Sequence, residues 1–343
     1  MRLTLIRPDD MHLHLRDGSA LPDLVPPLAH RFARGLIMPN LAAPVTTVAA
    51  AAAYRRRILA AVPRGRDFEP LMTLYLTPAT PAEEIDRARE DGHIHAVKLY
   101  PAGATTHSQH GVRRIEAIYP VLERMIAAGL VLSIHAELPD PAIDPYEREA
   151  RFIDTTLAPL VERYPELRIV LEHVSTREGI EFVTGASPRI GATITAHHLL
   201  CSRRNLFAGG LSPHYFCRPL LQSEATRQAL VAAATGESPR FFLGSDSAPH
   251  PRRLKECARA AAGIYTGYGA LELYAEAFAA ANALDRLEDF ASRRGAAFYG
   301  LPLNTATVSL EQTEWTVPDE YPFAGETVVP FRAAESLHFE LVP

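Results

Sequence analysis

The sequence predicts an α/β protein built as a closed (β/α)8 barrel of the TIM-barrel class, with a C-terminal extension of loops and short strands. Three observations carry this expectation. Short apolar, β-favouring runs alternate with longer runs rich in Ala, Leu, Glu and Arg, the pattern of a parallel sheet with helical crossovers. The strand-like runs number eight, and eight such repeats close a sheet on itself. The 343 residues, 47% hydrophobic and 22% charged, suffice for one large core. On pattern alone, an open doubly wound sheet stays as the alternative.

In chain order the expected strands are residues 11–15, 36–39, 71–76, 96–100, 130–135, 169–173, 192–197 and 241–245. Between them, residues 48–62, 83–90, 113–128, 147–163, 177–184 and 224–234 have helical composition. Two more helical runs, 270–283 and 287–299, follow the last strand. Residues 301–343 are rich in Pro, Thr and Val and lack a helical period, so they are expected to pack on the barrel without a catalytic part. No repeat, low-complexity linker or composition shift marks a boundary, and residues 1–343 are expected to form a single domain.

Bulk properties narrow the function classes. A formal charge of −5 gives no electrostatic reason to expect nucleic acid or an anionic membrane as partner. There is no apolar run of about 18 residues, and MRLTLIRPDD lacks the apolar core of a signal peptide. Cys201, Cys217 and Cys257 are odd in number and widely spaced, which fits neither a disulfide framework nor a CxxC knuckle. A reduced, cytoplasmic protein of enzyme size is the expectation.

His12-Leu13-His14 is the strongest single signal. Residues two apart share a face on a strand but not on a helix, so both imidazoles can point into the barrel mouth as metal ligands. Alone, such a pair is more often structural. His93-Ile94-His95 shows this, because it falls at the N-terminal rim, away from the face where these barrels carry their sites. The case for the first pair rests on its company: His135 ends the fifth expected strand, His173 the sixth, and Asp246 follows the eighth. Histidines and a carboxylate with open coordination positions suit catalytic zinc better than structural zinc. Lys98, inside AVKLY, has two readings. It is either a lysine that snorkels or pairs with a carboxylate, or a desolvated amine able to take up carbon dioxide as a bridging carbamate.

Taken together, the blocks RPDDMHLHLRDG, MPNLAAPVTT, KLYPAGATT, IHAE, EHVSTREG, ATITAHHLL, GSDSAPH and AGETVVPF resemble, in order, the amidohydrolase superfamily. Within it the likeness is to the short bacterial and yeast-type dihydroorotases, from Arg7 nearly to the C-terminus. The resemblance implies a zinc-dependent interconversion of N-carbamoyl-L-aspartate and dihydroorotate in pyrimidine synthesis. It implies two zinc ions per subunit, one held by His12, His14 and Asp246, the other by His135 and His173. Carboxylated Lys98 and a hydroxide nucleophile would bridge them, with Asp246 as general base and then general acid. It assigns Arg16, Asn40 and His250 to the substrate carboxylate, with His14, His135, Arg218 and Ala262 as further contacts. Thr105 and Thr106 would sit on a mobile loop spanning residues 101–111, His198 would lie just behind the site, and the enzyme would be a homodimer.

Two departures stand out. Phe216-Cys217-Arg218-Pro219 replaces the Tyr-Cys-Leu-Pro of many relatives, with the contact there expected through the main chain. Residues 256–265 replace a cysteine-containing pattern, with Ala262 at the contact position. The rival enzyme is a hydantoinase or dihydropyrimidinase, which needs no carboxylate clamp. A catalytically dead scaffold would be expected to have lost ligands that this chain retains.

Overall fold

A computed structural model describes residues 1–342. All eight expected barrel strands are present: β1 Asp9–Leu13, β2 Arg34–Ile37, β3 Glu69–Tyr75, β4 Ile94–Leu99, β5 Val131–Ile134, β6 Arg168–Leu171, β7 Ile190–Ile194 and β8 Phe241–Leu243. They lie in chain order in one sheet, each parallel to the next. The sheet closes where the chain passes β8: Asp246 N–H donates to the His12 carbonyl at 2.8 Å, and His14 N–H to that of Ser247 at 3.0 Å. The open doubly wound alternative is thereby excluded.

Alternation along the strands sorts the interior by height. Leu36, Leu71, Ala96, Val131, Val170 and Phe242 form an apolar floor, plugged from below by Tyr299. Two residues further along the same faces come Lys98, Ser133 and Glu172, and then Tyr100 and His135. Glycine is required at two of these interior positions. A Cβ on Gly191 would sit 2.9 Å from both Phe242 and Phe298, and one on Gly244 would meet Thr193 at 2.6 Å and the His12 Cβ at 3.0 Å. The aromatic floor and the placement of His12 both depend on those missing methyls.

Three features depart from the expectations. The seventh strand stops at Ile194, and Ala196–Leu200 is a short helix capped by the Thr195 hydroxyl on His198 N–H. A helix at Leu21–Arg31, unexpected because of Pro22, Pro26 and Pro27, forms between β1 and β2. Its buried residues Leu21, Leu24, Val25, Leu28 and Ala29 follow the helical period. Each large one buried contributes roughly 1.5–3 kcal/mol, and Pro22 sits in the first turn, where no N–H is needed. Arg31 anchors the helix end through Nε to Glu272 at 2.7 Å.

The third departure is an N-terminal strand, Arg2–Ile6, outside the barrel. It pairs antiparallel with Thr307–Glu311, which pairs in turn with Glu340–Leu341. The rest of the terminal segment holds short two-stranded pairings, Trp315–Thr316 with Ser336–Leu337 and Tyr321–Phe323 with Glu326–Val328. At the barrel's N-terminal end Arg34 forks onto Asp9 at 2.9 and 2.6 Å. The His93–His95 pair lies at this end too, at the start of β4, away from the C-terminal mouth of the barrel.

Candidate functional site

Barrel closure brings the ends of the sequence together at the C-terminal mouth. Asp246 Oδ1 lies 3.0 Å from His14 Nε2 and 3.4 Å from His12 Nε2, and the three offer ligand atoms within 4.8 Å of one another. His135 Nδ1 is 3.1 Å from His173 Nε2. The His12 and His173 rings lie 5.1 Å apart, linking the two sets. Arg16, His173 and Asp246 have left-handed backbones, with φ of 56°, 41° and 44°. Each such non-glycine residue costs about 1–3 kcal/mol, strain that the surrounding hydrogen bonds must hold.

Lys98 is fully buried, and among the described residues its Nζ has no hydrogen-bond partner. Burial brings its pKa down to about 8, against the opposing pull of Glu172 and Asp246. The surface-snorkelling reading of Lys98 is therefore excluded. Burial also keeps His173 well below its ordinary range and His14 at about 4, so both rings are neutral. Asp246 runs the other way: burial would raise it, but hydrogen bonds from His12 and His14 hold it well below the usual carboxylate range.

The donor set passes a chemical test for metal. It combines four imidazoles, those of His14 and His173 neutral, with an ionised carboxylate, a buried amine and a His173 Nδ1 without a hydrogen-bond partner among the described residues. Behind it, Glu172 Oε2 lies 2.7 Å from His12 Nδ1, the carboxylate–histidine pairing that orients metal ligands. Glu172 also accepts from the hydroxyls of Thr193, at 2.7 Å, and Ser133. Glu137 does the same for His135 at 2.8 Å from Nε2. Neither glutamate was singled out from sequence. The available signal was an acidic residue beside a candidate ligand, in EHVSTREG and IHAE.

Facing the donors across one cavity are Arg16, Asn40, Arg218 and Ala262, with Tyr100 as an unanticipated wall. Arg16 donates through Nε to the Pro249 carbonyl at 2.9 Å, and its Nη2 is 3.1 Å from His250 Nε2. That same His250 nitrogen is 3.0 Å from the Ala262 carbonyl oxygen. Thr105 and Thr106 complete the lining. Their loop sits inward: Asn40 Nδ2 donates to the Thr106 carbonyl at 3.0 Å, and Thr106 Oγ1 to that of Ala262 at 3.4 Å. The enclosed space is only about 20 Å³, room for about one water molecule. The Arg218 side chain is half-buried against the wall, its Nη1 3.8 Å from Glu137 Oε1. His198 lies behind the wall with Cys217.

A barrel with this polar mouth is of the amidohydrolase type, and residues 9–179 match the amidohydrolase family. Over 339 residues the chain is 58% identical to the dihydroorotase of Cupriavidus necator, covering 99% of this chain and 98% of that one. Its fold is similar to that of the crystal structure of Campylobacter jejuni dihydroorotase (TM-score 0.91, 34% identity, 100% and 98% of the two chains). It is also similar to that of Saccharomyces cerevisiae dihydroorotase in complex with 5-fluoroorotic acid (TM-score 0.92, 30% identity, 99% and 98%). The chain belongs to the dihydroorotase family and is a hydrolase of the amidohydrolase superfamily.

Proposed function

We propose that this enzyme interconverts N-carbamoyl-L-aspartate and (S)-dihydroorotate plus water, with two zinc ions at the barrel mouth. The observation that carries this is one cavity lined both by a metal-type donor set and by the Arg16 guanidinium and Asn40 amide, with the His250 imidazole 3.1 Å from Arg16. His12, His14 and Asp246 would hold one ion, and His135 and His173 the other. Lys98, whose lowered pKa leaves a nucleophilic amine, would take up carbon dioxide, release a proton and bridge both ions as the carbamate. When bound, the ions would supply Lewis acidity, polarising the ring amide carbonyl and acidifying water.

The remaining chemistry belongs to the chain. Arg16, with His250 and Asn40 beside it, binds the exocyclic carboxylate through a planar fork of donors and so fixes the ring amide over the metal ligands. Held ionised by His12 and His14, Asp246 accepts the proton of the attacking water. It then delivers that proton to the ring nitrogen as the amide C–N bond breaks and the nitrogen leaves as the ureido NH2. Arg218 and Ala262 line the far side of the ring. Because the cavity holds little more than a water, the loop of Thr105 and Thr106 must swing out to admit substrate. Its return excludes bulk water.

A hydantoinase-type activity is disfavoured, since its substrates offer nothing to the clamp. The family likeness supports a homodimer working in the cytoplasm in pyrimidine synthesis. Among the described residues no helix is long and apolar enough to cross a membrane. The test is the ultraviolet absorbance change of dihydroorotate with purified enzyme, before and after chelation and zinc reconstitution. Zinc-restored ring opening is expected. Absence of turnover with metal bound, or faster turnover of plain dihydrouracil, would overturn the assignment.

A further inference from the structure

We propose that His197, His198 and Cys217 form a second, thiolate-containing site for a thiophilic divalent ion, zinc in the first instance, behind the wall of the substrate cavity. Each residue offers one donor atom, and these lie within 4.8 Å of one another. The short helix Ala196–Leu200 sets the two imidazoles side by side, with ring centroids 4.8 Å apart. Relative exposures are 0, 2 and 1% for His197, His198 and Cys217.

The polar accounting of the cluster points to a ligand. Thr195 Oγ1 is 2.8 Å from His198 Nδ1, which fixes that ring and leaves Nε2 as its donor. Among the described residues neither nitrogen of His197 has a hydrogen-bond partner, and His198 Nε2 makes no well-formed bond, although the Leu220 and Pro219 carbonyls approach that ring. A buried polar atom without a partner costs roughly 1–3 kcal/mol, and the fully buried His197 ring lies here beside His198 and a thiol with no partner for either nitrogen. Burial keeps both rings neutral, which is the ligating form.

Two imidazoles and a thiolate are a common zinc donor set, with bonds of about 2.0–2.1 Å to nitrogen and 2.3 Å to sulfur. Tetrahedral geometry then needs donors roughly 3.3–3.7 Å apart, so modest side-chain rotation closes the site. Cys217 Sγ now donates to the Pro219 carbonyl at 3.1 Å. Binding would replace that proton with the metal and release it to solvent. Lys255 is a nearby cation. Its charge opposes the ion but favours the thiolate, and it is shared among the carbonyls of Phe216, Ala261 and Gly263 at 2.7–2.9 Å. An ion here would pin the segment carrying Arg218 to the helix after β7.

The test does not depend on how many ions the catalytic centre holds, because no sulfur lies among that centre's donors. The full-length protein is loaded with cobalt(II) and its near-ultraviolet spectrum recorded. A sulfur-to-cobalt charge-transfer band is expected in the wild type and in C257S, which removes the exposed cysteine, and should be lost in C217S. After zinc saturation and desalting, C217S and H197Q should each carry one equivalent per chain less than the wild type. No band in the wild type, a band retained in C217S, or equal zinc content in the variants would overturn the proposal. Should C217S fail to fold, the zinc content of H197Q decides it, with one equivalent lost expected and an unchanged content overturning the proposal.

Discussion

Replacing Glu172 with Gln is the sharpest probe of how the metal ligands are held. The side chain is fully buried and spreads its acceptor capacity over His12, Thr193 and Ser133. Burial would push its pKa up, but His12 and Lys98 outweigh that and keep it ionised. In E172Q the amide oxygen can still accept from His12 and Thr193, which share one carboxylate oxygen, and the Ser133 hydroxyl can rotate to accept from the new NH2. Shape and hydrogen-bond count survive, and the negative charge behind His12 is lost. Removing such support from a ligating histidine weakens metal binding by about 10–100-fold, or roughly 1.4–2.7 kcal/mol. Activity recovered against buffered free zinc should show the half-saturation point shifted by that factor, with kcat close to normal at saturating metal. Circular dichroism should confirm an unchanged fold. An unshifted zinc dependence would refute the orienting role. A collapse of kcat at saturating metal would refute the view that Glu172 acts only through His12.

Other expectations follow from the same geometry. Asp246→Asn removes the proton carrier and should cut kcat by about 10²–10⁴ with the fold retained, and near-normal turnover would refute its role. Arg16→Met removes a charge-assisted fork, with each such bond contributing about 1.5–3 kcal/mol. kcat/KM for dihydroorotate should fall by at least about 100-fold, while the already poor turnover of dihydrouracil should barely change; an equal loss for both would argue against the clamp. Arg34→Met leaves the buried Asp9 carboxylate without its cation, with only the Asn304 amide among the described residues still donating to it, and should cost about 3–5 kcal/mol in urea unfolding; a loss under about 1 kcal/mol would count against it. The fourth concerns acid. His198 protonates in the folded protein only near pH 4, against 6.5 for the ordinary group. Below pH 6.5 the unfolded chain takes up a proton that the folded chain refuses, so stability falls as pH drops from 6.5 to 4. At about 1.36 kcal/mol per pH unit the loss approaches roughly 3 kcal/mol. In metal-free protein, H198Q should show a shallower acid decline, and identical pH profiles would refute this.

Much of the architecture could be read before any coordinates. The alternation of strand-like and helical runs located all eight barrel strands, missing the end of the seventh by three residues because the polar AHH stretch continues as helix. Helix Leu21–Arg31 went unread because three prolines argue locally against it, and only burial of one face outweighs them. The Arg2–Ile6 strand escaped because its partner lies some 300 residues away, and a lone five-residue strand has little signal of its own.

Sequence by itself determined the residue types and their periods: histidines two apart, ligand-type residues at strand ends, and a lysine on an inward face. Those follow from local rules, since a strand's alternation decides which side chains point together. Tertiary structure decided distances and environments. Closing the barrel put Asp246 3.0 Å from His14. The interior layering placed Glu172 behind His12 and left Lys98 desolvated, and the chain's left-handed turns at His173 and Asp246 aimed both into the mouth. Contacts across 160 residues or more, and the dielectric around a buried charge, are properties of the packed molecule, and no local pattern encodes them.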